Sequence, residues 1–226
     1  MLASMLTLSI DHLLIASQSL DAGMNYLESL FGRAPTVGGS HPGQASRNAL
    51  LSLEDDCYIE VIAPDPAQTP TVFSEYLATV EKPSLLWWAA RTEDLDQVAE
   101  EIQAQGDGGT RAVCSQGSRA LADGRGTLRW DVLVARGAPA QNLMPFFIRW
   151  SSLAEHPSRG GEPVGRLRTL RLSGPEVDRL SWFRGACLDP HVAQNPGLEV
   201  EIDTPRGVVS LSSPLASAPG VGDLLG

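Results

Sequence analysis

Ser9-Ile10-Asp11-His12-Leu13-Leu14-Ile15-Ala16 and, further along, Cys57-Tyr58-Ile59-Glu60-Val61-Ile62 decide the reading of this chain. Both are short apolar runs of the kind that form buried strands. His12 stands in the first and Glu60 in the second, both side chains able to ligate a metal. Alternation places His12 with Ile10 and Leu14, and Glu60 with Tyr58 and Ile62, so both can face one side of a sheet. An imidazole and a carboxylate held on two strands are the beginnings of a metal site.

The segment between them is a repeating pattern. Leu20, Met24, Leu27 and Phe31 form a helical stripe, and Gly32 is placed to end it. A strand-like run at 35–39, a Gly/His/Pro loop and runs at 48–53 and 57–62 complete a β-α-β-β-β order. The order recurs. Residues 85–90 read as a buried strand, and Asp94-Leu95-Asp96-Gln97 has the form of a capping box. Leu95, Val98, Ala99 and Ile102 make the next stripe, Gly106 closes it, and strand-like runs follow at 111–115, 128–135 and 143–150. A shorter unit has a strand at 167–172 and a helix start at Ser173-Gly174-Pro175-Glu176, with Val177, Leu180 and Phe183 as its stripe. It ends in a hairpin around Thr204-Pro205-Arg206. The expected fold is therefore α+β: tandem β-α-β-β-β units forming a curled mixed β-sheet around a cleft, with a partial third unit at the C-terminus. The units fall at 6–66, 83–153 and 164–213 (the last a βαββ arrangement), with a flexible tail at 214–226.

Composition narrows the function classes. A formal net charge of −10 without any basic block argues against nucleic acid or an anionic membrane as partner. The longest apolar stretch, 85–90, is far too short to span a bilayer. Three cysteines without C-x-x-C spacing fit neither a disulfide framework nor a structural zinc site, and with no signal-peptide pattern they point to the cytoplasm. The partner expected is a small-molecule ligand, and the assembly a monomer or a homodimer.

Strand–helix–three-strand units in tandem, with His on the first strand and Glu on the fourth, resemble the vicinal oxygen chelate superfamily. That superfamily includes glyoxalase I, extradiol dioxygenases and fosfomycin- and bleomycin-resistance proteins. The closer resemblance is to the bacterial glyoxalase-like domain family. It is carried by Ile10-Asp11-His12, by Gly38-Gly39-Ser40-His41-Pro42-Gly43 with Arg47-Asn48, and by Tyr58-Ile59-Glu60-Val61-Ile62-Ala63. Asp123-Gly124 with Leu128-Arg129-Trp130, and Pro145-Phe146-Phe147-Ile148-Arg149-Trp150, continue it in family order. The family name records a fold, and fold does not imply function.

The resemblance implies a divalent metal held by two strand residues from each unit. His12 and Glu60 match the first pair. In the second unit Trp87 falls opposite His12, and Ile148 or its neighbour Phe147 opposite Glu60; the third unit offers Thr169. None of these is a metal ligand of this kind. His41, from the glycine-rich loop, would complete a two-His-one-carboxylate set suited to Fe, Mn, Ni or Zn. Arg47 and Asn48 are candidates to orient an anionic or carbonyl-bearing ligand. Trp87, Trp130 and Trp150 are candidates for an aromatic wall. The leading expectation is a metal-assisted lyase, isomerase or oxygenase-type enzyme with His12 and Glu60 as catalytic residues. Three alternatives stay open: His12 acting as a general base without metal, a metal-free protein that sequesters a small molecule, and a scaffold that uses its sheet only for association.

Overall fold

The computed structural model describes residues 6–105, 109–120, 126–137 and 143–213. The strands are β1 (Leu6–Thr7), β2 (Ser9–Ala16), β3 (Thr36–His41), β4 (Ser46–Ser52), β5 (Tyr58–Pro64), β6 (Ser84–Arg91) and β7 (Arg111–Ala120). They continue as β8 (Thr127–Arg136), β9 (Phe146–Trp150), β10 (Arg166–Gly174), β11 (Phe183–Arg184), β12 (Leu188–Val192), β13 (Gly197–Thr204) and β14 (Gly207–Ser213). Among the described residues three α-helices, α1 (Leu20–Phe31), α2 (Val72–Ala78) and α3 (Leu95–Gln105), are interspersed.

Local chemistry explains the helices. The Ser19 hydroxyl accepts the Ala22 N–H at the start of α1, and Gly32, in the left-handed conformation at φ 71, donates its N–H to Glu28 O at the end. Gly23, rather than Met24, is fully buried on that helix, because a Cβ there would run into Val61. Asp94 accepts the Gln97 N–H ahead of α3, whose Leu95, Val98 and Ile102 are buried. The expected helix end at Gly106 lies outside the described residues. The sequence pattern left α2 unread: Thr71 and Ser74 cap it reciprocally, and it buries Phe73 and Leu77.

Among the described residues eight strands form one sheet in the order β3-β4-β5-β2-β6-β9-β8-β7. Each half repeats the same ladder. β2 runs parallel to β5 and β6 parallel to β9, and the halves meet where β2 and β6 pair antiparallel. Asn48 and Leu50 of β4 line the same cleft as Val132 and Val134 of β8, so the mixed sheet curls until its two wings face one another. The alternate face, with Leu13, Ile15, Ile59 and Val61, is fully buried.

The C-terminal segment departs from the expected pattern. Ser173 and Gly174 are still strand, paired across to Gly197, His191 and Val192, so the capping signal they carry is spent within β10. Val177–Leu180 forms only a 3-10 turn, with no side-chain cap. The sheet that follows has the order β12-β10-β13-β14, which differs from the two halves, and β11 pairs with β1 instead. Its inner residues, among them Leu170, Leu198, Val200 and Leu211, join Trp88 and Phe147 in one core. This second sheet thus covers the side of β6 opposite the cleft. No helix among the described residues is long and apolar enough to cross a membrane.

Candidate active site

In a regular strand Asp11 and His12 would point to opposite faces. Here the β2–β6 ladder slips: Ile10 pairs with Ala90 but His12 with Ala89, which leaves Asp11 as the extra residue of a β-bulge. The bulge lets Asp11 Oδ1 meet His12 Nδ1 at 2.7 Å. Asp11 is completely buried. Its Oδ2 accepts from Trp150 Nε1 at 3.0 Å and His156 Nε2 at 3.1 Å, with Arg91 Nη1 at 3.6 Å. Burial pushes the Asp11 carboxyl up, but hydrogen bonds from His12 and His156 and the attraction of both rings hold it well below the usual carboxylate range. A buried carboxylate satisfied this fully stays ionised and fixes its neighbour. The ring of His12 is further clamped by Tyr58, stacked at 4.5 Å, and by the edge of Phe146 at 5.2 Å.

With Nδ1 bound to Asp11, His12 Nε2 is left to face Glu60 Oε2 at 3.3 Å. Glu60 is held in turn by Asn48, whose Nδ2 donates to Oε1 at 2.8 Å. The Asn48 amide cannot turn over freely, because Gly39 N–H donates to its Oδ1 at 2.8 Å. A side chain at Gly38 would collide with that oxygen, which is why glycine stands there. The same Nδ2 lies 3.2 Å from His41 Nε2, and His41 Nδ1 lies 3.0 Å from Ser46 Oγ. His41 is the last residue of β3, paired with Ser46, and not part of a loop free to swing over the cleft.

The second half supplies rings where the first supplies polar groups. Glu60 sits beside Leu14, two residues after His12; likewise Phe146 sits beside Ala89, two residues after Trp87. Trp87 therefore mirrors His12 as the sequence implied, whereas Phe146, rather than Ile148 or Phe147, mirrors Glu60. Trp87 and Phe146 touch at 5.0 Å. Phe147 is buried on the other face against Trp182 and Phe183.

These groups sit in a cleft of about 220 Å³. His12, His41, Asn48 and Glu60 line it, as do all three expected tryptophans, Trp87, Trp130 and Trp150. Gly117 leaves room for the Trp130 ring on the adjacent strand. Arg47 alternates with Asn48 along β4 and, unlike it, does not line the cleft. Sequence reasoning missed Asp11 and His156 as members of the site.

A three-ligand metal centre of His12, His41 and Glu60 does not fit this geometry. His41 Nε2 is 3.8 Å from Glu60 Oε1, with the Asn48 amide nitrogen within reach of both. That N–H takes up the lone pair a metal would need, and Trp87 and Phe146 offer none. Among the described residues, no three His, Cys, Asp or Glu side chains gather as a metal site.

Paired β-α-β-β-β halves around a shared cleft, with His and Glu on neighbouring strands of one half, define a protein of the vicinal oxygen chelate architecture. The chain belongs to the glyoxalase-like domain family, whose model matches residues 10–184. Among solved structures it is similar to a hypothetical protein from Staphylococcus aureus, at 15% identity over 91% of this chain and 85% of that one, with a TM-score of 0.59. It is also similar to the methylmalonyl-CoA epimerase of Mycobacterium tuberculosis, at 22% identity, 66% and 91% coverage and a TM-score of 0.44. The epimerase of Streptomyces coelicolor matches at 20% identity, 64% and 99% coverage and a TM-score of 0.45. No curated protein matches the sequence.

Proposed function

We propose that the cleft catalyses proton transfer at a carbon next to a carbonyl group of a small, largely apolar molecule, an isomerase- or lyase-type reaction run by side chains alone. The observation that carries this reading is the Asp11–His12–Glu60 series, with contacts of 2.7 and 3.3 Å, at the floor of an aromatic cleft. Asp11 orients the imidazole and His12 Nε2 removes the proton. The C–H electron pair then shifts toward the carbonyl, giving an enolate. His12 or Glu60 returns the proton to the carbon framework. Two titratable groups side by side in one site divide the acid and base roles. The metal-assisted and oxygenase-type forms of the chemistry lack a third ligand in this arrangement.

Tryptophan and phenylalanine walls favour one other reading, capture of an aromatic ligand without turnover. Acetophenone incubated with the protein in D2O separates the two. Proton transfer predicts deuterium entering the methyl group, with the rate falling at least about a hundredfold in His12→Ala and in Glu60→Gln. Acetophenone that binds without exchange above the buffer rate supports capture and contradicts the proposal.

A further inference from the structure

The cleft is lined by one permanent cation among the described residues, Arg136 at the end of β8. Its Nε is buried and has no hydrogen-bond partner. Among the described residues Arg47 Nε is left in the same state, but Arg47 does not line the cleft, and Arg149, Arg159, Arg166, Arg168, Arg171 and Arg179 each pair with a carboxylate. In a chain with 27 acidic residues against 17 Lys and Arg, a carboxylate partner was readily available. Arg136 also stands directly across from Arg111 on β7, so two guanidinium-bearing side chains leave the same face of the sheet at one point. Like charges directly opposite are destabilising unless something negative sits between them. An unmade bond at a buried N–H carries a further cost.

We infer that Arg136 binds a carboxylate on the substrate, which makes the ligand an aromatic or otherwise planar carbonyl compound with an acid at its far end. The geometry sets the spacing. Arg136 lies on β8, separated from β2 and its His12 by β6 and β9. Three strand spacings amount to about 14 Å along the sheet, and the curl shortens the path across the cleft. The walls between are Trp87, Phe146, Val132 and Val134, which suit a flat apolar body. A guanidinium takes a carboxylate through two parallel hydrogen bonds and so fixes which end of the molecule reaches His12.

The inference rests on the proton-transfer reading only for what happens at the other end, and one experiment keeps the two apart. 4-Acetylbenzoate and its neutral counterpart 4-acetylbenzamide are titrated into the protein by calorimetry, and deuterium entry into their acetyl groups is followed by NMR. The expected result is that the acid binds at least about tenfold more tightly than the amide. Arg136→Gln should abolish that preference while still binding the amide and keeping the wild-type circular dichroism spectrum, and Arg136→Lys should keep part of it. Equal affinities in the wild type, a preference that survives Arg136→Gln, or no binding of the acid would each overturn the assignment of Arg136. A preference without deuterium exchange would uphold Arg136 and overturn proton transfer; exchange without a preference would do the reverse.

Discussion

Asp11 and His12 are consecutive residues of one strand, yet their side chains meet, Oδ1 to Nδ1 at 2.7 Å, because a β-bulge opposite Ala89 and Ala90 turns both to the same side. The contact defines which ring nitrogen is left for the cleft.

Asp11→Asn tests the contact by function. An amide at this position can present N–H to His12 Nδ1 and so reverse the tautomer, leaving Nε2 protonated toward the cleft. Deuterium exchange into acetophenone should fall by at least about a hundredfold, with the circular dichroism spectrum retained. An unchanged exchange rate would remove Asp11 from the account.

The same residue shapes acid stability. A carboxyl whose folded pKa lies below its unfolded value adds stability that is complete above the unfolded pKa and is lost as pH falls toward the folded one. For Asp11 the loss should begin near pH 4, about the ordinary Asp value, and continue into stronger acid. Urea unfolding followed from about pH 6 to pH 3 should show wild-type stability dropping more steeply than that of Asp11→Asn.

Asn48 is expected to keep metals out. Asn48→Ala removes the N–H that occupies Glu60 and His41, and should raise Zn or Ni affinity at least about tenfold through the freed two-His-one-carboxylate set. Calorimetry on the variant and the wild type decides this. Stoichiometric tight binding by the wild type, lost in His12→Ala, would restore the metal centre that the sequence suggested.

Cysteine reactivity should follow burial. Burial pushes the Cys57 thiol up, with the nearby Asp11 charge adding to it, whereas Cys114 is exposed. A thiol reagent at neutral pH should label Cys114 first and spare Cys57 until the protein unfolds, as read by peptide mass spectrometry.

How much of this was legible depends on how local each signal is. Helices α1 and α3, both β-α-β-β-β halves and the shared face of His12 and Glu60 follow from periodicity within a few residues, whereas α2 was not read. Trp87 as counterpart of His12 follows from comparing the two halves. Arg47 and Asn48 were read together as ligand-orienting candidates, whereas alternation along β4 puts only Asn48 on the cleft lining. The bulge at Asp11 was out of reach, because it depends on how β2 registers with β6. So was His156, which reaches Asp11 from 145 residues away through a 3-10 segment whose sequence reads only as linker. The helix expected after Ser173 failed because strand pairing outweighed a good capping signal. His41 read as a loop residue because Gly38 and Gly39 look like a turn, but they belong to β3 and serve to admit and hold Asn48.

The central claim is that Asp11 holds the proton of His12 on Nδ1 so that Nε2 serves the cleft. Nitrogen-15 NMR of the imidazole rings measures this directly. The account predicts a His12 Nδ1-bound proton that is lost in Asp11→Asn, and an Nε2 resonance that shifts in Glu60→Gln. A His12 ring protonated on Nε2 alone, with Nδ1 bare, would contradict it.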